Sequence, residues 1–206
     1  MAAPITHIVL FEKIYNSQFS DKDRLHFIVG TSFPDIRYLG KIDRSKTHFP
    51  DVSMQDIMGS DPFKAGLKFH SFVDRVRENF LLSRNIYEFC PKSKYITQSV
   101  KFLEDIVLYS KVNDWDSYKS MLDNVLEEEL SFGLSEEHIS HWHKILQTYF
   151  AVQPDLTTVD KFVSGIGFGK EVAEEIKEVT ESLKGIKEVT DYIDALYQNF
   201  GTDKLI

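Results

Sequence analysis

Five residues in the first 74 positions have types and spacing that could do chemistry: His7, Asp35, His48, His70 and Asp74. His70 and Asp74 form an HxxxD pair, which a helix would place on one face about one turn apart. Phe69, Phe72 and Val73 flank the pair, so at least one member should approach the interior. A buried carboxylate then needs a counter-charge, because desolvating it alone is costly. Arg75 and Arg77 point in other directions on such a helix and are poor partners. Read singly, each residue has an ordinary explanation: a surface ion pair, a turn aspartate after Pro34, a loop histidine before Pro50, a helix-packing histidine. Read jointly, imidazoles and carboxylates without thiolates are what zinc or a similar divalent ion takes from a protein.

The elements that must hold these residues are mostly helical. Pro4 or Thr6 marks a helix start, and Ile8, Phe11, Ile14 and Tyr15 repeat at helical spacing, placing His7 close to the apolar face. A polar turn is expected at 19–23 and a short helix at 24–29. Gly30 to Asp35 is rich in breakers, and 37–59 reads as a long ordered loop with one helical turn. Asp61-Pro62 is a cap and first helical position for a helix running to about Phe80. Further helices are expected at 95–112, carrying Glu104 and Asp105, at 115–130, from Ser135 to Tyr149, and at 171–196 with a weak point at Gly185. Sustained two-residue alternation is missing. The expectation is a mainly α, single-domain multi-helix bundle over 1–206, with a metal-site half at about 1–112 and a helical half at about 113–206.

Composition narrows the partners. A formal charge of −8 argues against broad sequence-independent binding to nucleic acid or anionic membrane. One cysteine, Cys90, excludes an internal disulfide framework and a Cys-rich zinc site. No secretory leader is visible and no stretch reaches the roughly 18 apolar residues of a membrane span. The expected location is cytoplasmic, with export by a route the sequence does not reveal left open.

The order Pro4-Ile5-Thr6-His7, Phe27-Ile28-Val29-Gly30 with Pro34-Asp35, Thr47-His48-Phe49, and Gly66-Leu67 with His70 and Asp74 resembles the zinc-dependent phospholipase C family over roughly residues 4–112. That family is related to the single-strand-specific zinc nucleases. The resemblance implies an α-helical fold whose zinc cluster hydrolyses phosphate esters. It implies that Asp35, His48, His70 and Asp74 hold one ion and that His7 joins a bridging Asp74 on a second. The family's third site uses an HxxxE pair on the following helix. Here Val100 stands four residues before Glu104, and no histidine occurs between 71 and 137, so loss of that site is expected, with Glu104 either structural or a residual ligand.

The reaction expected is metal-assisted hydrolysis of a small phosphoester or phospholipid with one or two zinc ions, Asp35 orienting the attacking water or taking its proton. Arg37, Arg44 and Lys46 lie near the proposed ligands in sequence and could contact the phosphate, or be solvated loop charges. The alternative is a non-catalytic helical protein with a structural or degenerate metal site that works through partner binding. An HD-type phosphohydrolase is a third reading, but no adjacent His-Asp dipeptide occurs. His138, His141 and His143 are expected at the surface or its boundary. Gly165 to Lys170 lacks the Walker spacing and reads as a turn or helix entry.

Overall fold

The structure is a computed structural model, described over residues 2–40 and 42–202. Among the described residues it holds twelve α-helices, joined by turns and short 3₁₀ segments, and no strand. The chain begins with α1 (Pro4–Gln18), α2 (Arg24–Ser32), α3 (Met54–Met58), α4 (Pro62–Ser83) and α5 (Ile86–Phe89). It continues with α6 (Ile96–Leu108), α7 (Trp115–Ser120), α8 (Glu127–Leu130) and α9 (Glu136–Phe150), and ends with α10 (Leu156–Gly165), α11 (Lys170–Leu183) and α12 (Lys187–Asn199). No helix among the described residues is long and apolar enough to cross a membrane.

Among the described residues one hydrophobic core runs from Ala2 to Phe200, drawn from both the N-terminal and the C-terminal half. Phe200, after α12, packs edge-on against Phe69 and Phe72 of α4, with ring centroids 6.3 and 6.4 Å away. Lys13 of α1 reaches the carbonyls of Tyr197 and Gln198 near the end of α12. These contacts close the bundle around α4.

The helix that carries His70 crosses α2 at two glycines. A Cβ on Gly30 would lie 2.1 Å from the Phe63 carbonyl oxygen, and one on Gly66 would lie 2.2 Å from that of Phe27. No side chain fits such a gap, so the two backbones meet directly. The crossing brings the last turn of α2 to His70, whose Nδ1 sits 3.0 Å from the Thr31 carbonyl oxygen. Trp142 Nε1 donates to the neighbouring Ser32 carbonyl at 3.0 Å. Two of the carbonyls that a helix end leaves unpaired are thereby used.

Some elements differ from the reading of the sequence. The helix expected at 115–130 is two short ones, parted by tight turns in which Leu122 N donates to Lys119 O and Asp123 N to Ser120 O. Gln147 of α9 also donates to the Lys119 carbonyl at 3.1 Å and to Asp123 at 2.8 Å. The loop at 37–59 contains more helix than one turn: 3₁₀ segments at Pro34–Leu39 and Arg44–Lys46, then α3, opened by a Ser53–Asp56 capping box. The long C-terminal helix breaks between Leu183 and Lys187, around Gly185.

Candidate metal centre

Four elements bring the five residues together. His7 lies in the first turns of α1, whose free N–H groups are met by a carboxylate 100 residues away. Asp105 of α6 accepts from Ile5 N at 3.2 Å, from Thr6 N at 2.7 Å and from Thr6 Oγ1 at 2.7 Å. On its other side the α1 entry is pinned by Ala2 N, which donates to Asp74 Oδ1 at 2.6 Å. Asp35 projects from the 3₁₀ segment that follows α2. His48 follows the 3₁₀ segment Arg44–Lys46, and that loop is tied to α4 by Phe49 N donating to Ser71 Oγ at 3.0 Å. His70 and Asp74 come from α4 itself. All five side chains are buried.

Their donor atoms form two groups that share His70. One holds His7, His70 and Asp74, the other Asp35, His48 and His70, with all ligand atoms of each group within 4.8 Å of one another. His7 Nε2 lies 3.4 Å from Asp74 Oδ1, and Asp74 Oδ2 lies 3.7 Å from His70 Nε2 and 4.0 Å from His48 Nε2. These separations exceed the 2.7–2.9 Å expected of charge-assisted hydrogen bonds. They approach the ~3.4 Å edge of a tetrahedron built on zinc bonds of about 2.0–2.1 Å.

The hydrogen bonding of the imidazoles points the same way. His7 and His70 each direct Nδ1 at a backbone carbonyl, Ala3 O and Thr31 O, both at 3.0 Å. A carbonyl only accepts, so each Nδ1 carries the proton and each Nε2 offers a lone pair. Nε2 of His7, His48 and His70 and Oδ1 of Asp35 are all buried without a hydrogen-bond partner. Leaving a buried acceptor unsatisfied costs about 1–3 kcal/mol. Three of these atoms are acceptors, the Nε2 of His7 and His70 and the Asp35 oxygen, and a cation would relieve them together. The residues fit a bound zinc ion on these grounds.

Electrostatics shifts the titration of His48, His70 and Asp74. Burial, reinforced by the neighbouring His70, pushes the His48 pKa down to about 3. Burial and the stacked His7 ring, whose centroid is 4.0 Å away, push His70 well below its ordinary value. Burial opposes ionisation of Asp74, but His70 and His7 outweigh it and hold the carboxyl well below the usual range. His48 and His70, both shifted toward the neutral form, can offer Nε2 without first losing a proton.

Arg37 borders the cluster, its Nε 3.6 Å from Asp35 Oδ1. On the other side a cavity of about 450 Å³ is lined by Arg44, His48, Ser71, Asp74 and Arg75. Arg44 is an exposed residue at the rim of that cavity, and Lys46, also exposed, acts on Asp43. One open alternative is narrowed and one expectation needs correction. Glu104, read as either structural or a residual ligand, is engaged structurally: both its oxygens accept from Arg77 Nε at 2.9 Å, and Oε1 also accepts from Tyr192 at 3.1 Å. Arg77 is a poor partner for Asp74 because it turns to α6, and its guanidinium supplies the counter-charge there. His143 is buried rather than at the surface, with Nε2 2.8 Å from Glu129 Oε1.

Sequence reasoning missed Lys101, a buried lysine of α6 beside Tyr38. Its position in the apolar stripe between Val100 and Phe102 was the available signal. The chain matches no protein-family model, no curated protein and no solved structure.

Proposed function

We propose that the chain is a zinc-dependent hydrolase of phosphate esters, of the phospholipase C type its N-terminal motifs resemble. The observation that carries the reading is the convergence of three buried imidazole Nε2 atoms, none with a hydrogen-bond partner, on two carboxylates. Asp35, His48, His70 and Asp74 would hold one ion through the single free lone pair of His70 Nε2, and His7 with a bridging Asp74 would frame a second position. A zinc ion held there would supply Lewis-acid chemistry toward a water and a phosphoryl oxygen. Asp35, whose Oδ1 lacks a hydrogen-bond partner, would orient the attacking water or take its proton. Arg37 steadies that carboxylate, and Arg44 at the cavity wall meets the phosphate from the solvent side.

The engagement of Glu104 by Arg77 supports one or two ions rather than three. It also gives weight to the second reading, a structural metal in a protein that acts through partners. One experiment separates the two. Zinc-loaded protein should hydrolyse bis(p-nitrophenyl) phosphate or p-nitrophenyl phosphate, with the activity lost on chelation and in His70→Ala. Stable zinc binding with no turnover of either ester would leave the structural reading standing and remove the hydrolase.

A further inference from the structure

Lys101 has a setting that packing does not explain. It lies on α6 and is 5% exposed. Its ammonium donates to Tyr38 Oη at 3.4 Å, and no carboxylate among the described residues comes within 4.0 Å of it. A buried cation is ordinarily paired, because desolvation without a counter-charge is unfavourable. Glu104 and Asp105, one turn further along α6, are committed elsewhere, to Arg77 and to the N-terminus of α1.

A second cation meets the same tyrosine. The Arg37 guanidinium lies 4.3 Å from the centre of the Tyr38 ring, and Lys101 Nζ lies 5.3 Å from it. Arg37 also reaches Asp35, a member of the candidate metal centre, at 3.6 Å. The contacts therefore run from Asp35 to Arg37, from Arg37 to Tyr38 and from Tyr38 to Lys101, and none of the last three residues lines the cavity at Arg44.

We propose that Arg37, Tyr38 and Lys101 form an anion subsite beside the metal centre, and that it selects a phosphate monoester dianion over a phosphodiester. This rests on the hydrolase reading for the role of the subsite, though not for its existence. A diester presents one negative charge, which a metal centre can neutralise alone. A monoester presents a second, together with more acceptor oxygens. An arginine fork, an ammonium and a hydroxyl donor are the groups suited to receive them.

The test is calorimetric titration of the zinc-loaded and the zinc-free protein with inorganic phosphate and with dimethyl phosphate. The expected result is that inorganic phosphate binds at least ~10-fold more tightly than dimethyl phosphate, and that Lys101→Met erases the difference; tenfold corresponds to about 1.4 kcal/mol. Methionine keeps the length of the side chain without its charge. The variant should fold and melt a few degrees higher while still taking up zinc. Lys64→Met, at an exposed position of α4, should change nothing. Equal affinity for the two anions, or full phosphate affinity in Lys101→Met, would overturn the subsite. Failure of zinc uptake sinks the hydrolase reading, and the zinc-free titration still decides the anion subsite.

Discussion

Buried histidines occur in two regions of this molecule, and they are treated differently. In the C-terminal half, His143 of α9 meets Glu129 of α8 at 2.8 Å, while the other Glu129 oxygen accepts from Leu126 N at 2.9 Å. That group closes on itself. In the N-terminal half, His7, His48 and His70 direct Nε2 into a shared space with no hydrogen-bond partner, although carboxylates stand within 4 Å. A third buried polar group, Arg77 with Glu104 and Tyr192, behaves like the His143 pair, its charge neutralised within the protein. Burial of polar groups alone does not mark a functional site. What sets the N-terminal cluster apart is a set of buried side-chain atoms brought together and left without hydrogen-bond partners.

The largest effect in breaking this contrast is expected at the Arg77–Glu104 pair. Arg77→Met leaves a buried carboxylate uncompensated and should cost ~3–5 kcal/mol, most of it recovered in Arg77→Met/Glu104→Leu, as urea unfolding of both variants would read. Next is His70, the residue shared by both donor groups. His70→Ala should weaken zinc affinity by more than ~100-fold, beyond the loss typical of a residue that only supports a ligand, as competition with a chromophoric chelator would measure. The matched change His143→Ala should leave zinc affinity alone and lower stability by about 1.5–3 kcal/mol, the worth of a hydrogen bond to a charged group. Reversal of these two outcomes would erase the distinction between the regions.

The smallest effect concerns pH. The folded-state pKa of His48, about 3, lies below the ordinary 6.5. The unfolded chain therefore binds the proton between those values and the folded protein does not. The His48 contribution to stability is complete above pH 6.5 and is lost as pH falls toward 3. Asp105 acts in the opposite sense, since burial pushes its pKa up to about 7, so that its contribution is full below 3.8 and is lost as pH rises to about 7. Thermal melts of metal-free wild type and His48→Gln should isolate the first effect. The stability of wild type relative to the variant should fall between pH 6.5 and 3.

The fold class was readable because apolar residues recur at helical spacing and caps such as Asp61-Pro62 are local signals. All five cluster members were readable as well, since HxxxD on an apolar helix and three motifs in order survive without knowledge of contacts. Partners set by tertiary contact were not. Glu104 looked open to a ligand role because Arg77 lies 27 residues away and no local pattern joins them. His143 looked superficial because Glu129 belongs to a short helix that the sequence merges with its neighbour. The break at 121–126 contains Asp123-Asn124, both weak helix formers, and Gln147 of another helix bonds to its start, a contact that no pattern within 115–130 reveals. Lys101 was passed over because a lysine in an apolar stripe reads as one that extends to solvent.

Zinc K-edge X-ray absorption on protein dialysed against limiting zinc tests the central claim most directly. The account predicts stoichiometric zinc with two or three imidazoles and carboxylate oxygen at about 2.0–2.1 Å, and no such signal in His70→Ala. Protein that retains no zinc, or a His70→Ala variant that gives the same spectrum as wild type, would contradict it.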